Sequence, residues 1–418
     1  MNARRVAVTG IGMVSPFGGD SSDFFARMLA GESAIRLLER DEKPRPVSVP
    51  AVRCEGFDAA AAVGRGLAHT MDRFSQLGTA AALDAWQDAG LPREAEAHRT
   101  NWGVSWSTAL GGILTFETGY RDLYLTGRER VSPLSVVLGM NNAAASHIAI
   151  QLGLADACHT YSVACASSAI ALGEALLRIR SGQSQLIVAG GSDAGTLAYS
   201  VIKAWEALRV LAPGDRDSAP SACRPFHTER AGLVLGEGAG ALILEDWEHA
   251  TARGARIYAE LAGYGSTCDH SHLVKPEADG QIRAMRGALA DARLDPSAIG
   301  YVNAHGTATR EGDPTEIEAI RAVFGAGATD LAVSATKSMH GHMLGATGAL
   351  EAIITVLALH GRRVPPTANL DTATIDPACT GVRHVVGGGA DLPRLAAAIS
   401  NSFAFGGSNT VLAFRRAA

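Results

Sequence analysis

The chain has 418 residues, enough for two domains or one large duplicated fold, and its 47% apolar and 19% charged residues suit a large buried core. Its 37 basic and 42 acidic residues leave a net charge of −5, which gives no electrostatic case for nucleic acid or an anionic membrane surface as partner. Six scattered cysteines (Cys54, Cys158, Cys165, Cys223, Cys268, Cys379) form no CxxC pair, so neither a disulfide framework nor a metal site is expected, and a reducing cytoplasm suits them. No stretch reads as a membrane span, and Met1 to Arg5 leads into a short strand-like run, not the apolar core of a secretory signal.

In chain order, Arg5 to Gly12 reads as a buried strand entering a glycine turn. Gly10-x-Gly12 lacks the third glycine of a dinucleotide fingerprint, and Ser15-Pro16 interrupts the helix that should follow, so no nucleotide site is expected. Residues 21–31 and 70–90 carry helical spacing, with an irregular Pro- and Arg-rich stretch over 40–66 between them. Trp102 to Ser107 is a strand, and Asn141 to Leu152 an amphipathic helix. Val163-Ala164-Cys165 ends an apolar strand-like stretch, and Ala166 to Arg180 reads as a helix stopped by Ser181-Gly182. Cys165 then sits at a helix start, where free amides carry roughly half an elementary charge and shift a thiol toward thiolate. Taken alone, the same residue also reads as a small core side chain. Leu186 to Gly191 is a run of parallel-strand type, and Gly232 to Glu245 is a glycine-rich strand segment without the Lys-Ser/Thr of a phosphate loop.

Two histidine-bearing runs follow, Asn303-Ala-His-Gly-Thr-Ala-Thr309 and Lys337-Ser-Met-His-Gly-His-Met-Leu-Gly345. Singly, His305 reads as a turn histidine and His342 as a helix-start residue; a distant cysteine that can meet both is a nucleophile candidate. Strand, reactive segment and helix occur at 160–180 and again at 331–337 with 349–360, and Ala189-Gly-Gly-Ser-Asp193 is echoed by Phe405-Gly-Gly-Ser-Asn409. Such a repeat predicts a duplicated α/β/α layered fold.

From Arg4 to Arg415 the chain resembles the β-ketoacyl-acyl-carrier-protein synthases, condensing enzymes of the thiolase superfamily. Three anchors appear in that family's order and spacing: Ala-Cys-Ala-Ser-Ser, Ala-His-Gly-Thr and Lys-Ser-Met-x-Gly-His. The resemblance implies a duplicated thiolase-like α/β/α fold with two mixed sheets between helices, one in each half: 1–254 with the nucleophile and 255–418 with the His/Lys/His residues. It implies a decarboxylative Claisen condensation of malonyl-carrier protein with an acyl group on Cys165, His305 and His342 stabilising the enolate. The amides of Cys165 and Phe405 would form an oxyanion hole, with Phe405 also acting as a gate. Lys337 would order the His342 segment with support from Glu351, and Asp313 would bind neighbouring backbone. Thr307 and Thr309 match positions that bind the carrier's phosphopantetheine arm; Trp106 and Leu110 lie near the position that limits acyl-chain depth. No permanently bound cofactor is implied. The implied partners are acyl carrier protein and a second subunit, either a copy of the chain or a chain-length factor.

The sequence departs from that pattern at several places. Val274 replaces a pantetheine-binding hydroxyl, His340 stands where threonine is common, and His227 where aspartate is usual. Val364-Pro-Pro-Thr-Ala-Asn-Leu370 leans toward type II polyketide ketosynthases, Phe405-Gly-Gly-Ser-Asn409 toward the fatty-acid enzymes. Three other readings compete. A thiolase would carry a C-terminal Cys-x-Gly where this chain has Phe405-Gly-Gly. A chain-length factor would lack the nucleophile. A non-elongating acyltransferase or decarboxylase of the superfamily would share the fold.

Overall fold

The computed structural model describes residues 4–93 and 99–417. Residues 1–3, where the leader reading begins, lie outside them. The elements that place the site are β1 (Val6–Val14), α1 (Arg73–Asp88), β2 (Trp102–Ser107), α2 (Ala143–Leu152), β3 (Cys158–Tyr161), α3 (Ser167–Arg180), β4 (Leu186–Asp193), α4 (Tyr199–Leu208) and β5 (Gly238–Asp246). The second half contributes β6 (Ala259–Cys268), α5 (Ala278–Ala292), β7 (Ile299–Asn303), α6 (Gly312–Phe324), β8 (Ala332–Ser334), α7 (Thr347–Gly361), β9 (Ala397–Ala404) and β10 (Ser408–Arg416).

The strands form one hydrogen-bonded sheet of two similar parts joined at a short β1–β6 seam, where Ala7 pairs with Glu260 and Val8 with Ala259. Outward from the seam, the first half runs β1-β5-β4-β2-β3 and the second β6-β10-β9-β7-β8. In each half the first two pairings are antiparallel and the next two parallel. Helices α3 and α7 pack on each other and on strands of both halves; α1 and α2 cover the outer face of the first, and α5 and α6 that of the second. This is the layered duplicated α/β fold expected from the alternation of elements.

The central strands are buried along their whole length, so their residues are apolar without alternation. Gly10 and Gly12 have a packing role: a Cβ there would lie 2.2 and 2.1 Å from the carbonyls of Ala85 and Ala81 on α1. They allow α1 to settle on β1, and Asp72 caps that helix by accepting from the Phe74 amide.

Some boundaries differ from expectation. Residues 40–66 hold the strand Val47–Val52, paired with Arg36–Arg40, and the short helix Ala59–Val63. Strand β3 stops at Tyr161, leaving Cys165 on a separate turn. Strand β4 is parallel to β2 but antiparallel to β5. The Gly-Gly-Ser likeness is local, since Gly190 and Gly191 lie inside β4 whereas Gly406 and Gly407 form the turn after β9. Contrary to expectation, Leu344–Gly361 is apolar and long enough to cross a membrane; 89% of it is buried in the protein, so its apolarity serves the core.

Candidate active site

Cys165 occupies a tight 3-10 turn, Ala164–Ala166, between β3 and α3. Ala164 takes a positive φ of 45° there, a strained conformation for an alanine. Ser167 braces the turn by accepting from the Val163 amide (2.8 Å) and donating to the Ala164 carbonyl (2.7 Å). The second half repeats this design at Leu344–Ala346 before α7, where Leu344 has φ 44°. Gly345 takes the place of the cysteine there, and its amide donates to Asp193 Oδ2 at 2.7 Å. Asp193 also accepts from the Ala109 and Leu110 amides and the Thr108 hydroxyl, tying the turn to the loop after β2.

The structure brings Cys165, His305 and His342 together, with one ligating atom from each within 4.8 Å of the others. His342 Nε2 lies 3.0 Å from the Cys165 sulfur. On its other side Nδ1 meets the Thr347 hydroxyl at 2.9 Å, and that oxygen accepts from the Met343 amide. The Thr347 proton given to Nδ1 leaves Nε2 as donor toward sulfur. If the thiol donates to Nε2 instead, Nδ1 becomes the donor and the hydroxyl the acceptor. The His305 ring stands edge-on to His342, centroids 5.5 Å apart, with Phe403 at 5.9 Å.

Burial, with the Lys337 charge second, holds both imidazoles well below the usual histidine range, so they are neutral near pH 7. Burial also pushes the Cys165 thiol up to about 11, ahead of the opposing pull of Lys337 and of the amides of Phe405 and Cys165. The thiolate shift expected from the helix start is therefore overturned: desolvation outweighs it, and Cys165 rests as a thiol.

Lys337 is buried and donates to Glu351 Oε1 at 2.6 Å and to the His305 carbonyl at 2.5 Å. It thus orders the backbone of His305, where the sequence pointed to the His342 segment. Burial raises the Glu351 carboxyl in spite of the lysine. Asp313 Oδ2 accepts from the Phe226 amide at 2.8 Å, and burial pushes this acid up to about 7. Glu316, three residues along α6, was not singled out in the sequence. It accepts from the amides of His305 and Gly306, both at 2.8 Å, and so fixes the turn that carries the histidine.

A cavity of about 540 Å³ reaches Cys165, His305 and His342 and is also lined by Thr307, Thr309, Val274 and Phe405. Trp106 and Leu110, expected near the limit of acyl-chain depth, are not part of this entry cavity. Trp106 is a core residue that donates to the Ser192 hydroxyl, and Leu110 packs near Gly195. His340 bonds to Thr336 behind the site, and His227 caps its own loop by accepting from the Glu229 amide.

Comparison with known proteins identifies the family of the chain. Family profiles described as "Beta-ketoacyl synthase, N-terminal domain" and "Beta-ketoacyl synthase, C-terminal domain" match residues 3–250 and 258–371. The chain is 41% identical to Nodulation protein E of Rhizobium sp. (strain N33), over 99% of each chain. It is 38% identical to 3-oxoacyl-[acyl-carrier-protein] synthase 2 of Vibrio cholerae, over the full length of both. A type II polyketide ketosynthase, solved with its acyl-carrier protein and bound to the hexaketide, superposes with a TM-score of 0.89 at 30% identity, covering 99% of this chain and all of that one.

Proposed function

We propose a mechanism from one premise, that this chain belongs to the beta-ketoacyl synthase family and is an acyltransferase that performs condensation in fatty acid or polyketide elongation. Cys165 takes an acyl group from the thioester of an acyl carrier protein: its sulfur bonds to the acyl carbon, the carrier thiol leaves, and His342 moves the thiol proton to that leaving sulfur. Malonyl-carrier protein then loses carbon dioxide, and the enolate oxygen is held by N–H groups of His305 and His342. The enolate carbon attacks the acyl-Cys165 carbonyl, whose oxyanion is held by the amides of Cys165 and Phe405. Collapse expels the Cys165 sulfur, which regains a proton, and releases a β-ketoacyl thioester two carbons longer. The observation that carries this reading is the meeting of one sulfur and two neutral imidazoles at the floor of a cavity.

The partner assignments belong to the same reading. Arg209, Lys275 and Arg310 at the cavity wall supply positive charge for an acidic carrier and its phosphopantetheine phosphate, with Thr307 and Thr309 along the arm. The substrates arrive on that arm, and no resident cofactor takes part. Strand β3 is a sheet edge, and Tyr120, Tyr124, Val136 and Ile150 are exposed apolar side chains. An open edge and exposed apolar surface favour a second subunit, a copy or a chain-length factor. Six free cysteines suit the cytoplasm.

Mass spectrometry with acyl- and malonyl-carrier proteins tests the reading. Wild type becomes acylated at Cys165 and elongates the chain, whereas Cys165→Ala does neither. Cys165→Gln loses condensation and keeps malonyl decarboxylation; a silent decarboxylase counts against the roles given to the histidines.

A further inference from the structure

We propose that Trp205 is a latch for the Phe405 side chain, holding it against the cavity wall so that the way to Cys165 stays open; the inference rests on the condensing reading of this cavity. Trp205 projects from α4 of the first half, and Phe405 starts the turn between β9 and β10 of the second. Their rings stack across the two halves, with centroids 5.6 Å apart and planes 23° from parallel. Both line the cavity that contains Cys165 and His342.

The two partners are anchored unequally. Trp205 packs against the small core cluster that includes Leu197, Ile202 and Leu233. Phe405 is 36% exposed and belongs to no core cluster. It is followed by Gly406 and Gly407, at φ 89° and 76°, and a Cβ on Gly406 would meet nothing within 4 Å. The turn is held by backbone bonds, Gly406 N to the Leu273 carbonyl and Gly407 N to the Ala404 carbonyl, which leave the phenyl ring free to rotate. The Phe405 amide already faces the Cys165 sulfur. Without a stacking partner, the half-exposed ring gains by turning inward, where it covers that sulfur. Trp205 is therefore a positioning residue that acts through Phe405.

A double-mutant cycle on the full chain tests the latch. The reading is the rate at which Cys165 is loaded from octanoyl-acyl carrier protein, followed by quenched flow and intact-protein mass spectrometry. Trp205→Ala loads about 3- to 10-fold more slowly than wild type, the range set by one aromatic stack. The same substitution on a Phe405→Ala background changes the rate less than twofold, since no ring is left to hold. Trp205→Phe restores loading to within twofold of wild type, whereas Trp205→Leu, which keeps apolar bulk on α4, loads as slowly as Trp205→Ala. If Phe405→Ala loads too slowly to measure, the Phe and Leu variants decide the matter. Equal losses in both backgrounds, or rescue by leucine as good as by phenylalanine, overturn the latch and leave the condensing reading intact. Wild type that never becomes acylated overturns the condensing reading and the latch with it.

Discussion

At Cys165 two influences oppose each other: the start of α3 and the Lys337 charge favour a thiolate, and enclosure by the protein favours the thiol. With the thiol pushed up to about 11, the thiolate fraction increases about tenfold for each pH unit across the neutral range. Alkylation of Cys165 by iodoacetamide, followed by peptide mass spectrometry, should therefore accelerate about tenfold per unit from pH 6.5 to 9 without levelling off. A plateau near pH 7 would mean that charge, not enclosure, governs the sulfur. At this scale Cys165, His305, His342 and Lys337 were legible in the sequence because each stands in a short run of distinctive neighbours. Glu316 was legible in principle, lying one helical turn beyond Asp313 on the same face of α6. The depth-limiting role read for Trp106 does not follow from its own strand, because β2 is buried on both faces and its pattern does not tell a cavity wall from solid core.

Among the elements, the paired turns at Ala164–Ala166 and Leu344–Ala346 show how the halves divide their tasks. Both bend through a positive φ into a long helix, yet only the first carries a sulfur. A Cβ on Gly345 would lie 2.4 Å from the Ala109 amide nitrogen and 2.5 Å from Asp193 Oδ2. Gly345→Ala is expected to cost about 1–3 kcal/mol of stability in denaturant melts and to lower condensation further, because His342 sits three residues before Gly345. A variant with wild-type stability and turnover would show that the turn yields without moving the histidine. The long helices and the strand at Trp102 were legible from periodicity. The elements within 40–66 were not, because a six-residue strand containing Pro50 and a five-residue helix carry too little pattern to stand out.

For the molecule as a whole, duplication could be read from the repeated strand–turn–helix order, whereas the β1–β6 seam that joins the halves involves only two residue pairs and leaves no mark on composition. The outer edge at β3 and the exposed apolar side chains nearby bear on assembly. Sedimentation equilibrium is expected to give twice the 43.3 kDa of one chain, or the mass of a pair once a sister chain is supplied. Val136→Asp with Ile150→Asp should shift that equilibrium toward single chains; unchanged assembly would assign the contact to another face. The second turn has a further consequence, for stoichiometry. Where the first turn presents the Cys165 sulfur, the second has Gly345, with no side chain to acylate and its amide already bound to an internal carboxylate, so an acyl donor in excess is expected to add one acyl mass per chain in intact-protein mass spectra despite the two like halves.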